Sequence, residues 1–248
     1  ENADLIIENV PERLDIKQKI FENIEEVCSN QTIIASSTSG IKPTDLQNEM
    51  KNPERLMVTH PFNPVYLIPL VEVVGGNKTE YKFIKKIIDF FNSINMKPIH
   101  LKKEIEAFVA DRLLEAIWRE SLWLIKDGIC TTSELDDIVR YGFGLRYAQM
   151  GVFQTYRTAA GEGGMRKFLE HFGPCLTWPW TKLMDVPEFN DELIDLITNQ
   201  SDQQANGLSV TKLEQIRDKN LVEIQKALEK NNYGAGRLIK KARVKKSP

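Results

Sequence analysis

The sequence predicts an α/β unit followed by an all-α unit, and three observations carry that prediction. Five short apolar runs rich in β-branched residues lie between residues 4 and 101, most of them separated by stretches of helical period. After about Glu104 the strand-like runs stop and only helical periodicity continues. Apolar residues make up 42% of the 248 positions, ample for real cores in one large domain or two modest ones.

Taken in order, the first run spans 4–10 and leads through Pro11 to a helix over about 14–28, with Asp15 where a helix-starting residue is expected. A second run, 32–38, ends in Ser36-Ser37-Thr38-Ser39-Gly40 and is followed by a helix over 43–50 opened by Pro43. Runs at 56–59 and 69–74 come next. A helix over 79–93, with Thr79 as a plausible N-cap, precedes the last strand at 97–101. This alternation predicts a largely parallel sheet covered by helices. Glu104–Asp127 reads as one long amphipathic helix, its stripe supplied by Ile105, Phe108, Val109, Leu113, Ile117 and Leu124, with Gly128 to end it. Further helices are expected near 133–141, 161–171, 190–199 and 209–230, and Ser133 with Asp136 has the spacing of a capping box. The boundary between the units falls at about 102–104, giving domains 1–103 and 104–248.

Charge and composition exclude several classes. The formal net charge is −2, with no basic footprint for nucleic acid. The one basic cluster, Lys240, Lys241, Arg243, Lys245 and Lys246, is terminal and reads as a solvated tail. Cys28, Cys130 and Cys175 are odd in number and widely spaced, which fits a reducing cytoplasm rather than a disulfide framework or a zinc site. No signal peptide and no apolar run of membrane-spanning length is present in this sequence.

The stretch richest in chemistry is Thr59-His60-Pro61-Phe62-Asn63-Pro64, followed by Glu72 within Leu70-Val71-Glu72-Val73-Val74. A histidine oriented by a buried carboxylate is a good general base for an alcohol proton. By themselves the two residues are equally compatible with a satisfied core histidine and a strand-edge glutamate. In open α/β sheets ligands bind beyond the carboxyl ends of the strands. Glu12, Ser39 and His60 each follow a strand in this reading, so all three are expected at that edge. Strand-end serines are also ordinary turn and cap residues.

The order of Asn9-Val10-Pro11-Glu12-Arg13, Ser37-Thr38-Ser39-Gly40, His60-Pro61-Phe62-Asn63-Pro64, Glu72 and Asp111-Arg112-Leu113-Leu114 resembles the 3-hydroxyacyl-CoA dehydrogenase family over essentially the whole chain. Lys103-Glu104-Ile105-Glu106-Ala107-Phe108-Val109, Gly173-Pro174-Cys175-Leu176 and Trp178-Pro179-Trp180-Thr181-Lys182 are most similar to the members of that family that oxidise carnitine. The resemblance implies an incomplete Rossmann-type doubly wound sheet followed by the family's helical C-terminal domain. It also implies NAD as cofactor, oxidation of L-carnitine to 3-dehydrocarnitine, and a homodimer formed through the helical half. His60 is implied as catalytic base, Glu72 as its orienting partner, and Ser39 as a hydrogen-bonding partner of the reacting hydroxyl or the nicotinamide. Glu12, Lys17 and Asn63 are implied along the cofactor edge.

One position departs from the acyl-CoA enzymes, which usually carry asparagine where this chain has Asp111. A carboxylate there favours a cationic substrate by Coulomb attraction, although a surface ion pair with Arg112 or Arg119 is its plainer reading. A quaternary ammonium is best held by aromatic faces, for which Tyr141, Phe143, Trp178 and Trp180 are candidates. The substrate carboxylate needs a cation, from among Arg112, Arg146 and Lys103. The alternatives are a dehydrogenase of 3-hydroxyacyl-CoA or of a sugar acid, or a non-catalytic dimerisation module.

No Gly-x-Gly-x-x-Gly follows a first strand. Gly161-Glu162-Gly163-Gly164 follows no strand and reads as a loop. The chain starts at Glu1 and enters a strand at once, whereas family members carry the dinucleotide fingerprint upstream of that point. An N-terminally truncated form of the parent enzyme is therefore the expectation.

Overall fold

The alternating apolar runs pair into one five-stranded sheet. The computed structural model describes residues 3–159, 168–171, 190–193, 195–196, 199, 206–208, 210–233 and 236–239. It divides into two compact units, Glu1–Arg112 with Arg237–Pro248, and Leu113–Gly236.

The first unit runs β1 (Leu5–Glu8), α1 (Leu14–Val27), β2 (Ile33–Ser36), α2 (Pro43–Leu46), β3 (Leu56–Pro61), β4 (Leu70–Gly75), α3 (Tyr81–Ser93) and β5 (Lys97–Leu101). The strands lie in chain order. β1, β2 and β3 pair in parallel, as do β4 and β5. The sheet is therefore largely parallel, as expected, with β3–β4 as its antiparallel pair. The reason is local: eight residues, 62–69, join β3 to β4, too few for the crossover that a parallel pair needs.

Two-residue alternation sorts the core onto the two faces of the sheet. Ile34, Leu56, Val58 and Val74 pack with Phe21 of α1 and Leu46 of α2. Ile33, Met57, Val71 and Val73 pack with Phe83, Ile84, Ile87 and Phe91 of α3. The strand 56–59 was expected to stop before His60, yet β3 continues to Pro61, which puts His60 inside the ladder on the same face as Leu56 and Val58. The helix opened by Pro43 is a single turn, Pro43–Leu46. Glu80, not Thr79, is the N-cap of α3. The Thr79 hydroxyl instead donates to Leu56 O at 2.7 Å and accepts from Gly76 N at 2.9 Å.

The second unit is helical. The segment expected as one helix from Glu104 is helical only as α4, Ala110–Lys126. Ala107 and Phe108 hold positive φ of 58° and 50°, outside the right-handed helical region. Phe108 is fully buried in the sheet core rather than on the helix stripe. At the other end Gly128 (φ 66°) stops α4 as expected. Its N–H bonds Ile125 O, and Ile129 N bonds Leu124 O, a Schellman closure. α5 (Thr132–Ile138) is opened by a capping box, formed by Thr131 and Glu134 rather than Ser133 and Asp136. A π-helical turn, Val139–Phe143, joins it to α6 (Gly144–Ala159), and α7 spans Val210–Lys230. Of the helices expected at 161–171 and 190–199, residues 168–171, 191–193, 195–196 and 199 are helical, and 161–167, 194, 197 and 198 lie outside the described residues.

Candidate active site

The antiparallel turn of the chain from β3 into β4 builds the centre of the site. Its register sets His60 directly opposite Glu72, and opposed residues on one face of an antiparallel pair bring their side chains together. His60 Nδ1 lies 2.9 Å from Glu72 Oε2, with His60 and Glu72 only 4% and 2% exposed. The other carboxylate oxygen, Oε1, accepts from the backbone amides of Val109 (3.0 Å) and Ala110 (3.1 Å) at the start of α4. Glu72 therefore accepts from three donors and has the positive end of a helix beside its charge. With a carboxylate facing Nδ1, that nitrogen carries the proton and Nε2 is left as the acceptor.

Nε2 faces Asp111, whose Oδ2 lies 3.7 Å away, beyond hydrogen-bond distance. The Asp111 side chain is 30% exposed, so the carboxylate on this flank reaches the surface while the imidazole stays buried. Phe62 stands edge-on to the ring at 5.8 Å and Phe108 lies tilted against it at 5.4 Å. The imidazole is thus held by a carboxylate on one nitrogen and aromatic walls at its sides, and its Nε2 makes no hydrogen bond to a described residue.

A second polar cluster lies past the ends of β1 and β2. Glu8, at the end of β1, is buried and accepts from Lys17 Nζ (2.8 Å), the Ser36 hydroxyl (2.6 Å) and Val10 N (2.6 Å). Lys17 also donates to Val10 O at 3.1 Å and lies 3.4 Å from Glu12 Oε2, with its side chain 1% exposed. Glu12 Oε1 accepts from the Thr38 hydroxyl and from Gly40 N. Burial pushes the Glu12 carboxyl up, but the Thr38 and Gly40 hydrogen bonds and the charge of Lys17 outweigh it, so it sits below the usual glutamate value. Glu12 in this way ties the loop that carries Ser39.

Ser39 and Asn63 are exposed, and neither side chain bonds a described residue. A hydroxyl and a carboxamide free at the carboxyl ends of β2 and β3 fit the amide and hydroxyl groups of a dinucleotide's nicotinamide riboside half. The dyad, Asp111 and the Glu12–Lys17–Ser39 edge all belong to the first unit. Arg112, Lys103 and Arg146 are exposed. In the helical unit Tyr141 is 79% exposed. Phe143 packs against Tyr147 with ring centroids 5.3 Å apart and lines an apolar pocket with Ile117, Leu124, Leu135 and Ile138. Trp178 and Trp180 lie outside the described residues.

Sequence reasoning missed Glu8, Ser36, Thr38, Phe108 and the Val109 and Ala110 amides. Glu8 carried a readable signal, as a carboxylate in a strand with a lysine nine residues on. The amides carried none, because side-chain identity says nothing about where a backbone N–H points.

The chain thus combines a Rossmann-type α/β sheet that carries a histidine–carboxylate pair with a helical unit. Residues 1–105 match the model of the 3-hydroxyacyl-CoA dehydrogenase NAD binding domain and residues 108–185 that of the same family's C-terminal domain. An L-carnitine dehydrogenase of Mesorhizobium japonicum is 65% identical over 236 residues, covering 95% of this chain and 65% of that protein. Another, from Oceanobacillus iheyensis, is 52% identical over 224 residues, covering 90% of this chain and 73% of that protein. The crystal structure of 5-formyl-3-hydroxy-2-methylpyridine 4-carboxylic acid 5-dehydrogenase, an NAD+-dependent dismutase, superposes with a TM-score of 0.75 at 28% identity, covering 92% of this chain and 74% of that one. The chain belongs to the 3-hydroxyacyl-CoA dehydrogenase family. It spans less than two thirds of the length of the Mesorhizobium relative.

Proposed function

We propose that the protein catalyses NAD-dependent oxidation of L-carnitine to 3-dehydrocarnitine, with His60 as general base. The observation that carries this reading is the placing of His60 Nε2, free to accept a proton, beside the Asp111 carboxylate, while Glu72 holds Nδ1. Both relatives described above are named L-carnitine dehydrogenases.

His60 Nε2 takes the proton of the substrate hydroxyl, and Glu72 stabilises the imidazolium that forms. Bound NAD would supply the hydride acceptor for the carbinol carbon. Ser39 donates to the reacting oxygen or the carboxamide of the cofactor, and Asn63 serves the same edge. Glu12 and Lys17 serve that edge by shaping it, since their charged groups engage the Thr38–Gly40 loop and Glu8.

Asp111 selects for a cation. A quaternary ammonium offers no hydrogen bond, so charge and aromatic faces are what recognise it. At about 5 Å a unit pair is worth roughly 3 kcal/mol at an effective dielectric of about 20. Tyr141, Phe143, Trp178 and Trp180 are the aromatic candidates, and Arg112 is the cation for the substrate carboxylate. We assign the assembly as a homodimer through the helical unit, supported by Leu113, Leu114, Ile117 and Trp118 of α4, all 45–56% exposed. A cytoplasmic location fits the free thiols of Cys28 and Cys130. Among the described residues no helix is long and apolar enough to cross a membrane.

The test is NADH formation by the full-length protein offered L-carnitine and 3-hydroxybutyryl-CoA in parallel. Carnitine turnover that falls by roughly 10²-fold or more in His60→Ala, at an unchanged melting temperature, is expected. Turnover of the CoA ester alone overturns the substrate, and full activity in His60→Ala overturns the base.

A further inference from the structure

Resting on that reading of the dyad, we propose that the backbone amides of Val109 and Ala110, presented by the left-handed pair Ala107–Phe108, are the positioning groups that hold Glu72 in its working orientation. A carboxylate bound only through one oxygen to an imidazole rotates freely about its last side-chain torsion. Here the second oxygen is fixed by two consecutive N–H groups, at 3.0 and 3.1 Å, from a segment outside the sheet. Those N–H groups reach Glu72 because the chain turns sharply just before α4.

The turn is unusual in its residues. Ala107 (φ 58°) and Phe108 (φ 50°) sit consecutively in the left-handed region, which L-residues seldom adopt and bulky ones less still. Non-glycine residues persist there where the surrounding structure over-determines them, and such places cluster at functional sites. The Phe108 ring supplies the restraint: it is fully buried in the sheet core and lies 5.4 Å from the His60 ring centroid. Phe108 thereby touches the base from the side while its backbone aims the next two amides at the carboxylate behind the base. The following residue is Asp111, 3.7 Å from Nε2. One turn sets both carboxylates relative to the imidazole, and keeps the proton on Nδ1 and the acceptor on Nε2.

The experiment is Ala110→Pro in the full-length protein. Ala110 is the first residue of α4, a position where proline keeps the helix, while its ring carbon replaces the N–H and pushes Glu72 Oε1 out of place. The expected result is a fall in kcat of about 10-fold or more, with KM for NAD unchanged and the helical circular-dichroism signal retained. In a Glu72→Gln background the same substitution costs less than about 2-fold, because the amide acts through the carboxylate charge. An unchanged kcat in Ala110→Pro, or a loss of equal size in both backgrounds, overturns the positioning role. Phe108→Met, which keeps a buried apolar side chain, runs the same cycle if Ala110→Pro does not fold. Full turnover in Glu72→Gln would sink the dyad reading itself, whereas a Glu72→Gln loss with an additive Ala110→Pro sinks only the positioning role.

Discussion

Replacing Lys17 with methionine tests whether this lysine is a buried counter-ion or a simple cofactor contact. Its Nζ lies 2.8 Å from Glu8 Oε1, and the two side chains are 1% and 0% exposed. At that distance the gross attraction is about 6 kcal/mol for an effective dielectric of about 20, and desolvation of both ions offsets part of it. Lys17→Met leaves the Glu8 charge buried with only the Ser36 hydroxyl and the Val10 amide to hold it. Breaking a buried pair from one side costs about 3–5 kcal/mol, a large share of a domain stability of about 5–15 kcal/mol. Urea unfolding at neutral pH reads the loss directly as a lower midpoint. Glu8→Gln with Lys17→Met removes both charges and is expected to recover most of the loss, so the two substitutions are strongly non-additive. A Lys17→Met loss below about 1 kcal/mol, with only a raised KM for NAD, would refute the counter-ion argument.

Two further outcomes follow from the same geometry. Glu12 titrates below the usual glutamate value, so its carboxylate contributes stability that is complete above the unfolded value, about 4.3, and lost as pH falls through the lower folded value. The amide resonance of Gly40, which donates to Glu12, is expected to titrate with it in that acid window and to stop doing so in Glu12→Gln. A Gly40 midpoint at or above the ordinary glutamate value would contradict the assignment. Ala107→Gly relieves a left-handed alanine (φ 58°), worth about 1–2 kcal/mol, against about 0.5–1 kcal/mol of added unfolded-state entropy. A net gain of about 0.5–1 kcal/mol with kcat unchanged is expected. A loss of stability in denaturant would show that the turn is not left-handed in solution.

The class of fold was legible in the residues alone, and so were the two candidates for its centre, though not their pairing. Alternation along 33–36, 56–61 and 70–75 decided which residues point to which face, because side-chain direction in a strand depends only on position. His60 and Glu72 stood out as candidates because one closes an apolar strand and the other interrupts the next apolar run. Gly128 announced the end of α4 through its own backbone freedom. The tertiary structure alone decided the antiparallel register that sets His60 against Glu72, the enclosure of Lys17 by Glu8, and the left-handed turn at Ala107–Phe108. Residues 104–109 carry helix-compatible side chains, and local propensity favours helix there by no more than tenths of a kcal/mol per residue. Burial of Phe108 in the sheet core and two amide bonds to a charged carboxylate outweigh it. Those partners lie more than thirty residues away along the chain. That is why periodicity reached the elements and only the packed sheet reached the site's final geometry.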